Sequence, residues 1–149
     1  MEAILRIEKL YSTSPHRIWQ ALTDRRQLAQ WLMENDFEPR VGHRFTFHMP
    51  SVLGFDGIIH GEVLEVEEPY HLSYSWQGNL MPHPTIVTWR LEQVPEGTLL
   101  KLEHRGFEGM RGLFFRWMHQ NGWARMLQIG LPKVFHHFAE NAIAEKERA

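Results

Sequence analysis

The sequence predicts an α+β fold: a curved antiparallel sheet with two short helices after its first strand, wrapped around a long C-terminal helix. Three observations predict it. Ser14 to Leu32 reads as two short capped helices in immediate succession, strand-type alternation fills most of the middle, and the longest helical-period apolar stripe closes the sequence.

Ala3 to Ser12 alternates Ile4, Arg6, Glu8 and Leu10 against Leu5, Ile7, Lys9 and Tyr11. Both faces are mixed, so a bulge or register flip is expected. Ser14 then stands at an N-cap with Pro15 at the first helical position, where a missing N–H costs nothing, and Ile18, Ala21 and Leu22 form one stripe. Asp24 caps the second helix, with Gln27 placed as a capping-box partner and Leu28, Trp31 and Leu32 repeating the spacing.

His43 to Met49 puts Phe45, Phe47 and Met49 on one strand face. Gly57 to Glu67 does not alternate cleanly, and a bulge near Gly61 is the expected reason. His71 to Gln77 aligns Leu72, Tyr74 and Trp76, and Thr85 to Glu92 aligns Val87, Trp89 and Leu91. Pro95-Glu96-Gly97 makes a hairpin turn, after which Leu100, Leu102 and His104 face inward and Lys101, Glu103 and Arg105 face water.

After Gly106 a stretch dense in glycine and aromatics, FEGMRGLFFRWMHQNG, precedes the final helix, which is expected to cover at least Trp123 to Phe138. Its stripe is Trp123, Leu127, Gly130, Leu131, Val134 and Phe138. Pro132 removes the bond to the Gln128 carbonyl and should kink the helix, at a cost of about 3 kcal/mol unless compensated. Gly130 should permit close backbone approach and leave space where a larger side chain would fill it, and Ala144 to Ala149 should fray.

The segments SPHRIWQALTD, LAQW, GEVLEVEEPYHLSYSW, VTWRLEQVPEGTLLKLEHRGF and GWARMLQIGLPKVF, in that order, resemble the family of the activator of heat-shock protein 90 ATPase homologue, specifically its C-terminal domain. That family sits in the START-like (SRPBCC, Bet v 1-like) superfamily with polyketide cyclases and lipid-binding proteins. The resemblance implies a helix-grip fold with a volume between sheet and helix, and it brings stimulation of a chaperone ATPase, a stress-response role, into view as one activity. A chain of 149 residues is the size of one such domain, expected to span 1–149.

Sixteen Lys plus Arg against 18 Asp plus Glu, interspersed, give no footprint for nucleic acid or a membrane surface. No stretch reaches the roughly 20 apolar residues of a bilayer span, and a cytoplasmic location is expected. The absence of cysteine excludes disulfides, zinc–thiolate sites and thiol nucleophiles. Ten histidines raise a metal site, but no HExxH occurs, and the neighbours His136 and His137 project about 100° apart on a helix. No metal or cofactor is expected. No G-x-S-x-G elbow or phosphate loop is present either.

Six Trp, nine Phe and three Tyr are the distinctive load, enough to fill an oversized core or to line a cavity. The expected ligand contacts are Phe45, Phe47, Tyr74, Trp76, Val87, Trp89, Leu102, His104, Phe114, Met118, Trp123 and Leu127. Trp76, Trp89, His104, Trp123 and Leu127 should border a mostly apolar cavity on the order of 300 Å³ or more. The expected function is non-enzymatic binding of a small hydrophobic or amphipathic molecule. A cyclase- or hydrolase-like enzyme is the first alternative, with His104 as acid or base and Glu108 or His60 approaching it. A chaperone-ATPase-stimulating interaction protein, binding a chaperone or another protein, is the second. Arg111 and Arg116 are candidates for the cavity mouth, as partners of a ligand carboxylate or phosphate. A monomer or homodimer fits all three readings.

Overall fold

The computed structural model describes residues 2–136. The chain runs β1 (Glu2–Tyr11), α1 (Pro15–Thr23), α2 (Arg25–Trp31), β2 (Glu34–Asn35), β3 (Arg44–His48), β4 (Ile58–Glu67), β5 (His71–Gly78), β6 (Thr85–Val94), β7 (Gly97–Glu108) and α3 (Gly109–Arg125), with a π-helical turn at Met126–Gly130. The strands form one seven-stranded antiparallel sheet in the order β1-β7-β6-β5-β4-β3-β2. Its concave face carries Phe45, Phe47, Leu72, Tyr74, Trp76, Val87, Trp89, Leu91, Leu100 and Leu102, all buried, as the alternation predicts.

Two irregularities set which residues face inward. Ala3 pairs with Phe107 and Leu5 with His104, so the extra residue of the expected bulge lies on β7, not β1. Gly106 occupies it at φ +104°, a conformation that favours glycine, and the inward set therefore passes from His104 to Phe107. In β4 the shift falls between Val63 and Glu65 rather than at Gly61. Gly61 has a different role: a Cβ there would collide with the Phe45 ring and the Ser75 carbonyl. The glycine marks a close approach, not a bulge.

Both helix caps form as read. The Arg17 N–H donates to Ser14 Oγ at 3.3 Å and the Gln27 N–H to Asp24 Oδ2 at 3.1 Å. The reciprocal arm from Gln27 does not form, because the Asp24 N–H already donates to the Gln20 carbonyl at 2.8 Å as the last bond of α1. The two helices bury Ile18, Trp19, Ala21, Leu22, Leu28 and Trp31. The two-residue β2 carries no readable pattern, yet it brings in Phe37, whose ring packs on Phe45, Phe47 and Tyr74 at centroid distances of 5.0, 6.3 and 5.6 Å.

The largest departure from expectation is at the C-terminal helix. It begins at Gly109, so most of the Gly- and aromatic-rich stretch that the sequence places before the helix is its first half. Helix continues over 131–136; Phe138 and 144–149 lie outside the described residues. Gly130 does not leave free space, since a Cβ there would lie 3.3 Å from the Trp31 carbonyl oxygen. It lets the helix settle against α2.

Pro132 acts through a change of helical register. The Leu131 N–H donates to Met126, five residues back, so the next carbonyl without a donor is that of Leu127 rather than Gln128. The Tyr11 hydroxyl donates to that carbonyl at 2.6 Å, joining β1 to the helix. Tyr11→Phe is expected to destabilise the fold by about 1–3 kcal/mol, the cost of leaving a buried carbonyl unpaired, measured by urea unfolding. An unchanged midpoint would show that the carbonyl finds another donor.

Candidate ligand-binding cavity

Packing α3 across the end of the sheet leaves a cavity of about 820 Å³. The helix lines it with two adjacent rows at four-residue spacing: Met110, Phe114, Met118, Gly122 and Met126, and beside them Arg111, Phe115, His119 and Trp123. The facing wall comes from the end of α2 (Leu32, Met33), from Ile59, Trp76 and Gly78 of the sheet, and from Leu80 and Met81 after β5. The β3–β4 loop closes the rim with Met49, Val52, Leu53 and Phe55. Backbone bonds between Val52 and Phe55, at 3.1 and 2.7 Å, hold this loop in a tight turn that leaves Leu53 fully exposed. Six of the seven methionines of the chain line the cavity.

The floor is a polar network with no free atom. The Trp123 Nε1–H donates to His104 Nδ1 at 3.1 Å, and an indole N–H can only donate, so the imidazole proton sits on Nε2. That proton is given to Thr85 Oγ1 at 2.6 Å, and the Thr85 hydroxyl donates to the Trp76 carbonyl at 2.8 Å. His119 is fixed in the opposite tautomer. The Trp76 Nε1–H donates to its Nε2 at 3.1 Å, and its Nδ1–H donates to the Phe115 carbonyl at 2.7 Å.

Burial holds His104 well below the ordinary imidazole range, with His119 adding to the effect, and burial likewise lowers His119, opposed by its bond to the Phe115 carbonyl. Both rings are neutral at pH 7. Burial also raises the Tyr74 hydroxyl, which accepts from the Trp89 Nε1–H at 2.9 Å. Among the described residues no side-chain nitrogen in the wall is uncommitted except those of Arg111, and no side-chain oxygen lines it.

Of the expected contacts, Trp76, Phe114, Met118 and Trp123 line this cavity. Phe45, Phe47, Tyr74, Val87, Trp89, Leu102, His104 and Leu127 do not; they are buried behind it. The reason is that the middle of the grip is filled. Trp31 meets Trp89 edge-on at 6.1 Å, Trp89 meets Trp123 at 5.4 Å, and Phe37 occupies the space over Phe45 and Tyr74. The open volume is displaced toward the β3–β4 loop and the first half of α3.

His104 meets neither Glu108 nor His60, which lie exposed. Arg116 is also away from the cavity, its Nε–H donating to the Ile4 carbonyl at 3.2 Å, whereas Arg111 lines it and has no hydrogen bond or ion pair among the described residues. Sequence reasoning named Met118 but missed the other five methionines and His119. The four-residue spacing from Met110 to Met126 was the signal that could have found them. Among the described residues no group of three or more His, Asp or Glu side chains is placed to hold a metal, and no helix is long and apolar enough to cross a membrane.

Residues 12–135 match the model of the family described as Activator of Hsp90 ATPase homolog 1-like protein. The chain belongs to this family. Protein MLL2253 from Mesorhizobium loti is similar at 32% identity, with 91% of this chain and 98% of that one aligned and a TM-score of 0.80. The family's helix-grip fold recurs in the Aha1 dimer from Colwellia psychrerythraea (22% identity, 85% and 91% covered, TM-score 0.73). CalU16 from Micromonospora echinospora shares it at 23% identity, with 96% and 86% covered and a TM-score of 0.63. No curated protein matches the chain.

Proposed function

We propose that this protein binds a small apolar or amphipathic molecule in the α3 cavity without transforming it, and that it does so in the cytoplasm. One observation carries the reading: a volume of about 820 Å³ lined by apolar side chains, in which every deep side-chain nitrogen is already hydrogen-bonded within the protein. Such a wall accepts a hydrocarbon or aromatic body at no hydrogen-bonding cost, and drug-sized sites fall in the range of roughly 300–1,000 Å³. Methionine suits this work because its flexible thioether adapts to the shape it meets.

Acid–base chemistry by His104 has little support. It is fully buried, both its nitrogens are engaged, and protonating Nδ1 would set it against the Trp123 N–H. Titration of the protein with phenylnaphthylamine, a neutral fluorescent probe, tests the binding reading. Saturable one-site enhancement supports it, and absence of saturable binding sinks it.

A homodimer is the second reading. Leu113 and Trp117 on the outer side of α3 are more than half exposed, and the Colwellia relative is described as a dimer. Light scattering decides it: twice the chain mass supports a dimer, and the chain mass alone rejects it.

A further inference from the structure

The wall of the cavity is electrically one-sided. Among the described residues Arg111 is its only charged residue, is exposed where it lines the cavity, and has no carboxylate partner. Among the described residues no Asp or Glu lines the cavity to receive a cationic ligand. The deep part offers no uncommitted side-chain donor or acceptor, so a polar group buried there would go unpaired, while Arg111 offers a planar fork of donors suited to an oxyanion.

We infer that the ligand is an amphipathic anion, its apolar body against the methionine-lined wall and its carboxylate, sulfonate or phosphate head on Arg111 at the mouth. The inference rests on the binding reading and adds the class of ligand to it. Arg116, tied to the Ile4 carbonyl, takes no part.

Two probes with the same aromatic body separate charge from shape: phenylnaphthylamine, which is neutral, and anilinonaphthalene sulfonate, which adds one anionic group. The wild-type protein at low ionic strength is expected to prefer the sulfonate, with added salt weakening the sulfonate alone. In Arg111→Gln that preference should fall about tenfold, as loss of one partly exposed charge-assisted contact implies, and Arg111→Lys should recover part of it. An unchanged preference in Arg111→Gln, or equal affinity of the wild type for both probes, overturns the anion assignment while the cavity stands. If neither probe binds the wild type, the binding reading itself has failed, and the anion assignment fails with it.

Discussion

Gly122→Trp is expected to weaken phenylnaphthylamine binding by at least about tenfold while leaving the protein as stable as the wild type or more so. A Cβ at Gly122 meets nothing within 4 Å, and the residue lines the cavity between Met118 and Met126. An indole built there takes up volume that a ligand needs, and crowding of this kind costs typically 1–3 kcal/mol. The fold responds in the opposite direction, because replacing a glycine inside a helix removes a penalty of up to about 1 kcal/mol. Loss of binding together with an unchanged or raised urea midpoint cannot come from unfolding. Full affinity in this variant would place the probe somewhere other than the α3 cavity.

Acid is expected to destabilise the protein through the two neutral imidazoles under the cavity. Folded His104 and His119 both titrate below the ordinary imidazole value of 6.5, so in the window just below it the unfolded chain binds protons that the native state refuses. Stability is therefore fully present above about pH 6.5 and falls as the pH drops. Each histidine that stays neutral in the fold contributes a loss of about 1.4 kcal/mol by about pH 5.5. The loss should thus lie between about 1.4 kcal/mol, if His104 alone resists protonation, and about 2.8 kcal/mol if both do. His119 is the less enclosed of the two and should yield its share first. A flat stability profile from about pH 7.5 to 5.5 in urea unfolding would contradict the tautomer assignments that close the floor of the cavity.

The sheet and the two early helices were legible in the sequence because local chemistry specifies them. Alternating residues such as Val87, Trp89 and Leu91 against Thr88, Arg90 and Glu92 have one core face and one wet face, and Ser14 and Asp24 each supply a cap. The first half of α3 was hidden for a physical reason. Its outward face carries Leu113 and Trp117 and its inward face Met118 and Gly122, so there is no polar side to reveal a helical period.

The site was legible in kind but not in position. Alternation identifies which rings point inward, but not that Trp31 and Phe37, from elements distant in sequence, fill the space over Trp89, Phe45 and Tyr74. That closure moves the open volume from the centre of the grip to its end, where the lining is methionine. The π turn before Pro132 was equally out of reach, since it depends on a hydroxyl donated by Tyr11 from the far edge of the sheet.

Methyl NMR of the methionines during phenylnaphthylamine titration tests the central claim most directly, because the chain labels its own cavity. Met33, Met49, Met81, Met110, Met118 and Met126 line it. Binding in the α3 cavity predicts that these six methyl resonances shift together along one saturation curve. Saturable binding that leaves all six unmoved, or no binding at all, would contradict the account.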